Sequence, residues 1–172
     1  MSATRAETAL FPGTFDPFTN GHLDLATRAA GLFPRVVVAV AQASTKTALF
    51  SSEERVEMIR EALVAVPETA ARIEVITFEG LVVDCARTAG AKVMIRGLRA
   101  VSDFEFEFQM ALMNRKLSPG LEIVYLMPDV RYTYLNATLV KEVARLGGEV
   151  KDLLPPPVAR RLMAKLGAQA RR

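Results

Sequence analysis

Residues 10–22 read Leu-Phe-Pro-Gly-Thr-Phe-Asp-Pro-Phe-Thr-Asn-Gly-His and gather the groups most able to handle a phosphate. An apolar strand end (Ala9, Leu10, Phe11) runs into Pro12 and Gly13, which halt a strand ladder. Asn20, Gly21 and His22 close the segment where a helical period begins. Backbone N–H groups at a helix start lack intrahelical partners and sit at the positive end of the helix dipole. A strand-loop-helix joint of this kind therefore attracts anions. His22 is the only histidine in the chain and falls at that start. Two readings of it stand side by side: a capping or core-edge histidine, and a donor to a bound phosphate.

The elements that must position this loop can be read from periodicity. Short β-rich runs at 8–12, 36–41, 73–78, 92–95 and 121–127 alternate with helical patterns, and the central runs are apolar nearly throughout. Strands covered on both faces read this way, so the fold class is α/β, a doubly wound five-stranded parallel sheet of Rossmann-like form. A first helix over 21–33 carries Leu25, Ala29 and Leu32 on one face. A second, capped by Ser51 with Glu54 three residues on, presents Val56, Ile59, Leu63 and Val66. A third spans about 81–88 and ends at Gly90. Ser102-Asp103-Phe104-Glu105 has the capping-box pattern for a fourth, to about 117. A fifth covers about 138–146 before Gly147 and Gly148, and a last amphipathic helix with Val158, Leu162 and Leu166 comes after three prolines. No linker divides the chain, so residues 1–172 form one domain, with 1–7 and 168–172 expected to fray.

The fourth helix has two apolar stripes. Phe104, Phe108, Ala111 and Leu112 form one; Phe106, Met110, Met113 and Leu117 form the other. One stripe can cover the sheet. The second is open to burial beneath the C-terminal segment, a subunit contact or the apolar arm of a ligand. Glu107 and Asn114 lie between the stripes, on a flank suited to a cleft.

In open parallel sheets the ligand crevice lies beyond the carboxyl ends of the strands. The segments after the five strands are rich in anion-binding groups: Gly13, Thr14 and His22; Ser44, Thr45 and Lys46; Gly80 and Leu81; Arg96-Gly97-Leu98-Arg99; and residues 129–138. Each has a plainer reading, Lys46 as a solvated lysine and the two arginines as partners of Asp103, Glu105 or Glu107. Two arginines around a glycine at the end of a buried strand nevertheless suit phosphate oxygens. Tyr132 and Tyr134 either flank a purine or roof the core.

Composition removes several function classes. A net charge of +3 without a basic stripe argues against nucleic acid, and no apolar run reaches the length of a membrane helix. The single Cys85 excludes an internal disulfide and reads as a packed thiol. The first residues lack the apolar core of a signal peptide, so a cytoplasmic location is expected.

Thr19-Asn20-Gly21-His22 matches the T/H-x-G-H signature of the nucleotidyltransferase superfamily. Together with Pro12-Gly13-Thr14-Phe15-Asp16-Pro17, Ile95-Arg96-Gly97-Leu98-Arg99, Asp103-Phe104-Glu105 and Leu139-Val140-Lys141-Glu142-Val143, it resembles the bacterial phosphopantetheine adenylyltransferases over residues 10–166. That resemblance implies transfer of AMP from ATP to 4′-phosphopantetheine, giving dephospho-coenzyme A and pyrophosphate, with Mg2+ carried on the ATP phosphates. It also implies a homohexamer, with coenzyme A as a product-like or feedback ligand.

By position, the catalytic set would be His22, Thr14, Lys46 and Arg99, with His22 donating to the ATP α-phosphate and Arg99 facing the leaving pyrophosphate. The ATP site would use Thr14, Phe15, His22, Gly97, Leu98, Arg99 and Glu107. It would be completed by Tyr132, Thr133, Tyr134, Leu135, Asn136, Ala137 and Thr138. The phosphopantetheine site would use Thr14, Lys46, Leu81, Val82, Arg96, Met110 and Asn114. The nucleophile is a phosphate oxygen already anionic near neutral pH, so no dedicated base is needed.

One departure stands out: Leu135-Asn136-Ala137-Thr138 replaces a serine-rich segment of the family, so Ala137 offers only backbone. Other readings compatible with the residues are another adenylyl- or cytidylyltransferase of the superfamily, or a nucleotide-binding regulatory domain.

Overall fold

Val36, Val37, Val38 and Val40 run consecutively with Ala39 between them, and every one is fully buried, as a central parallel strand requires. The computed structural model describes residues 7–42 and 48–169. Its strands are β1 (Thr8–Gly13), β2 (Arg35–Ala41), β3 (Ile73–Phe78), β4 (Val93–Gly97) and β5 (Glu122–Leu126), all parallel, in the order β3-β2-β1-β4-β5. The order reverses between β1 and β4, the place where such sheets open a crevice. Sequence drives the opening. β1 stays in register with β2 from Thr8 to Gly13, but with β4 only at Ala9 and Leu10. Pro12 has no N–H to extend the second ladder, and the two strands part there.

The helices are α1 (Asn20–Leu32), α2 (Ser52–Leu63), α3 (Pro67–Ala70), α4 (Val82–Thr88), α5 (Val101–Leu117), α6 (Ala137–Arg145) and α7 (Pro156–Gln169). Alternate strand residues separate two cores. Ala9, Phe11, Val36, Val38, Val40 and Ile95 face the side packed by α1, α2 and α7. Leu10, Val37, Ala39 and Met94 face Val83, Cys85 and Ala86 of α4. Cys85 is free and buried, and burial raises its thiol pKa, in keeping with a packing role.

The Ser51–Glu54 capping box forms as expected. Four features differ from the expected pattern. Leu32 is exposed, because the chain turns extended at Phe33, and Phe33 packs on the core instead. α5 begins at Val101, one residue before the expected cap, with Ala100 as an N-cap whose methyl can make no side-chain bond, and the Asp103 carboxylate of the first turn is engaged by Arg99. α7 continues through residues 168–169, inside the stretch expected to fray, whereas residues 1–6 and 170–172 lie outside the described residues.

The fourth difference is the largest. Neither stripe of α5 covers the sheet or lies under the C-terminal segment; Phe104, Phe106, Phe108, Leu112, Met113 and Leu117 are all exposed, while Glu107 and Asn114 are buried.

Candidate functional site

A cavity of about 700 Å³ occupies the crevice between β1 and β4. Its walls come from the β1–α1 loop, the start of α1, the end of β4, the inner flank of α5 and the start of α6. Thr14, Phe15, His22, Gly97, Arg99 and Glu107, each expected around a nucleotide, line it, as do Tyr132, Leu135, Asn136, Ala137 and Thr138.

His22 is the N3 residue of a reciprocal capping box. Thr19 Oγ1 accepts the His22 backbone N–H at 3.3 Å, and the His22 Nδ1 accepts the Thr19 backbone N–H at 3.0 Å. A nitrogen that accepts a backbone N–H carries no proton, so the ring proton of the neutral imidazole resides on Nε2. Burial, aided by the positive charge of Arg99, lowers the His22 pKa to about 4. The ring stacks on Phe18 with centroids 5.6 Å apart and meets the edge of Phe15 at 5.1 Å. The capping reading of this histidine is thus realised through one nitrogen, and the ring also lines the cavity, with its proton on the other.

Phe15 pins this arrangement with a φ of 52°, a left-handed conformation that costs a bulky residue of order 1 kcal/mol. Buried contacts hold it there. The Arg55 Nη1 donates to the carbonyls of Thr14 at 2.6 Å and Ala41 at 2.9 Å, and its Nε to that of Ser51 at 3.2 Å. One residue beyond Phe15, the buried Asp16 carboxylate accepts the N–H groups of Leu49 and Phe50, each at 3.0 Å, and the Lys141 Nζ at 2.5 Å.

The paired arginines have partners. Arg96 makes a two-pronged bond to Glu107 (2.5 and 3.0 Å) and also donates to the Pro12 carbonyl. Arg99 holds Asp103 and donates to the Leu135 carbonyl at 2.8 Å, tying the β4–α5 turn to the approach of α6. A second cavity of about 210 Å³ lies beside the first, and Thr14, Arg96 and Glu107 line both. Its remaining walls include Val82, Met110 and Asn114, the residues expected beside a pantetheine arm. Arg96–Glu107 therefore forms a charged partition between a larger and a smaller chamber.

At the start of α6, Asn136 accepts the Leu139 N–H at 2.7 Å, so its side chain is used as the N-cap. Ala137 and Thr138 come next as the first helical residues on the cavity wall, where backbone N–H groups are free of intrahelical partners. Gly21 fits beneath Tyr132, whose Cβ lies 3.3 Å from where a glycine-to-alanine Cβ would stand.

Not every expected residue reaches the cavities. Leu81, Leu98, Thr133 and Tyr134 line neither of the two described. Leu81 is the exposed N-cap of α4, the Leu98 N–H bonds the Leu126 carbonyl, and Thr133 and Tyr134 stand on the outer side of the turn before α6. Lys46 lies outside the described residues. Arg55, Asp16 and Lys141 carry no role that their sequence positions alone would assign. A signal for Arg55 exists, since it shares the apolar face of α2 with Met58, Ile59 and Ala62, and a charge there demands internal acceptors. Among the described residues, no group of three or more His, Cys, Asp or Glu is arranged to hold a metal, and no helix is long and apolar enough to cross a membrane.

Comparison with known proteins points the same way as the geometry. Residues 10–143 match the cytidylyltransferase-like family. A phosphopantetheine adenylyltransferase of Desulforudis audaxviator is 53% identical over 159 residues, which is 92% of this chain and 95% of that one. Another from Oleidesulfovibrio alaskensis is 50% identical over 167 residues, 97% and 96% of the two chains. Among solved structures, a bifunctional NMN adenylyltransferase/ADP ribose pyrophosphatase from Francisella tularensis shares the fold, with a TM-score of 0.71, 15% identity and coverage of 96% of this chain and 54% of that one.

Proposed function

The chain belongs to the phosphopantetheine adenylyltransferase family, and on that premise we propose that the larger chamber takes ATP and the smaller one 4′-phosphopantetheine. A phosphate oxygen of the acceptor attacks the ATP α-phosphorus in line. A new P–O–P bond forms, the bond from the α-phosphorus to the oxygen bridging it to the β-phosphate breaks, and pyrophosphate leaves with that electron pair. The products are dephospho-coenzyme A and pyrophosphate, in a reversible step of coenzyme A biosynthesis.

The observation that carries this reading is the hydrogen bond that engages His22 Nδ1 at the start of α1. Its Nδ1 is committed to Thr19, which leaves a neutral Nε2–H in the first turn of α1, in a chamber that Arg99 and the start of α6 also line. Such a group stabilises charge as it develops on the α-phosphate without moving a proton. Arg96 holds the acceptor phosphate and is itself oriented by Glu107. Arg99 and the opening N–H groups of α6 face the pyrophosphate, offsetting the missing side-chain donor at Ala137.

Magnesium enters on the nucleotide, neutralising the triphosphate; the chamber wall supplies cations and N–H groups for that assembly. Coenzyme A fits as a product-like or feedback ligand of the same chambers. The exposed apolar face of α5 meets other copies of the chain in a homohexamer, and the protein works in the cytoplasm.

Pyrophosphate release measured with ATP and magnesium, with and without 4′-phosphopantetheine, tests the proposal. Release should depend on the acceptor. His22→Ala should lower kcat by roughly 10²- to 10³-fold, the scale for one preorganised donor, with the fold intact. ATP binding without acceptor-dependent release would overturn the choice of acceptor and point to another phosphorylated substrate; near-normal turnover by His22→Ala would overturn the role of the histidine.

A further inference from the structure

Beneath the phosphate loop lies a largely buried charge pair, Asp16 and Lys141, that also forms part of the larger chamber's wall. Asp16 and Lys141 have side chains 6% and 13% exposed and are joined at 2.5 Å across 125 residues of sequence. Asp16 stands next to the strained Phe15 and three residues before Thr19, the cap that orients His22. Lys141 stands four residues after Ala137, on the same face of α6 as the helix start that lines the larger chamber. The remaining lone pairs of Asp16 fix Leu49 and Phe50, and Arg55 secures the Thr14 carbonyl alongside. Otherwise α6 is seated through Val140 and Ala144 in the core it shares with α7.

We propose that Asp16 and Lys141 are positioning residues that set the spacing between the two helix N-termini a triphosphate would span, that of α1 with His22 and that of α6 with Ala137. This inference rests on the adenylyltransferase reading above. It goes beyond it in assigning a catalytic consequence to a pair that need not touch the reacting atoms. In-line transfer depends on the α-phosphate meeting His22 while the β- and γ-phosphates rest on α6, so a shift between those helices misaligns the leaving group. Ground-state binding, spread over many contacts, changes less. The signature is therefore a loss in kcat with KM nearly preserved.

The test compares Lys141→Met, Lys141→Arg, Asp16→Asn and the double variant Asp16→Asn/Lys141→Met with wild type, measuring Tm, kcat and the KM for ATP and for 4′-phosphopantetheine. Each neutralising single variant leaves one buried charge or its partner uncompensated and lowers Tm. The double variant removes both charges and regains much of it. Lys141→Arg keeps the ion pair and the fold but changes its reach, which leaves a folded protein in which to read alignment.

In the double variant and in Lys141→Arg, kcat should stay about 10- to 100-fold below wild type while either KM moves by less than about threefold. Recovery of kcat in step with Tm would overturn the proposal and leave the pair a stabilising contact only. A loss confined to KM would also overturn it, making Lys141 a binding group. A wild type that releases no pyrophosphate with the acceptor would instead overturn the adenylyltransferase reading, and this inference with it.

Discussion

α2 backs the phosphate loop through Arg55, α5 lines the cleft, and the two helices bury opposite kinds of residue. α2 turns Val56, Met58, Ile59 and Leu63 into the core and brings in one charge, Arg55, whose guanidinium is satisfied by three carbonyls. α5 buries Glu107 and Asn114 and leaves six large apolar side chains from Phe104 to Leu117 more than 40% exposed. A helix beside a ligand cleft thus answers to the ligand. The inner flank of α5 sets Glu107, the partner of Arg96, and Asn114 beside Phe106 and Met110 on the chamber walls, and the other large apolar residues of the helix are left facing outward. α2 has no such duty and packs as its periodicity dictates.

Substitutions in the two helices should break this contrast at several strengths. Ile59→Ala in α2 should cost about 2–5 kcal/mol of folding stability, read from denaturant unfolding, because a fully buried side chain leaves a cavity. Glu107→Gln in α5 should lower stability by about 1–3 kcal/mol, since it leaves the part-buried Arg96 without its counter-charge. It should raise the KM for phosphopantetheine roughly 5- to 30-fold, the equivalent of about 1–2 kcal/mol, by weakening the charge-assisted grip on Arg96. An unchanged KM would mean that Arg96 needs no orienting partner. Paired Leu112→Ser and Met113→Ser changes should shift subunit stability by no more than about 0.5 kcal/mol each, as exposed substitutions do. Light scattering should nevertheless show a smaller assembly. An unaltered assembly would place the subunit contact elsewhere.

The mildest effect concerns the cleft itself. His22 titrates near 4 in the folded protein against 6.5 unfolded. Between those values the unfolded chain binds a proton that the native state refuses, so this contribution to stability is fully present above about pH 6.5 and is lost progressively as pH falls to about 4. Exchange-based stability measurements on wild type and His22→Gln should differ in slope across that window and run parallel above it. Equal slopes would place the His22 pKa near its ordinary value.

Much of the fold and part of the site are legible in the residues alone. Five strands, their parallel arrangement and the helices between them can be read from apolar runs and 3.6-residue periodicity, which are local properties of the chain. The phosphate loop is legible because residues 10–22 are contiguous and their N–H groups, glycine and histidine act at short range. The loop also carries the resemblance to the adenylyltransferases. Ser102 has the pattern of a cap, yet the helix begins one residue earlier, at Val101, with Ala100 in the cap position. The sequence determined the fold class, the strand-end rim and the histidine. Only the tertiary structure decided that α5 faces its polar flank inward, that Arg96–Glu107 divides two chambers, and that Arg55, Asp16 and Lys141 meet under the loop. Those outcomes depend on groups 11 to 125 residues apart being brought together, where a charge shielded from water needs a carboxylate or carbonyl partner inside the fold.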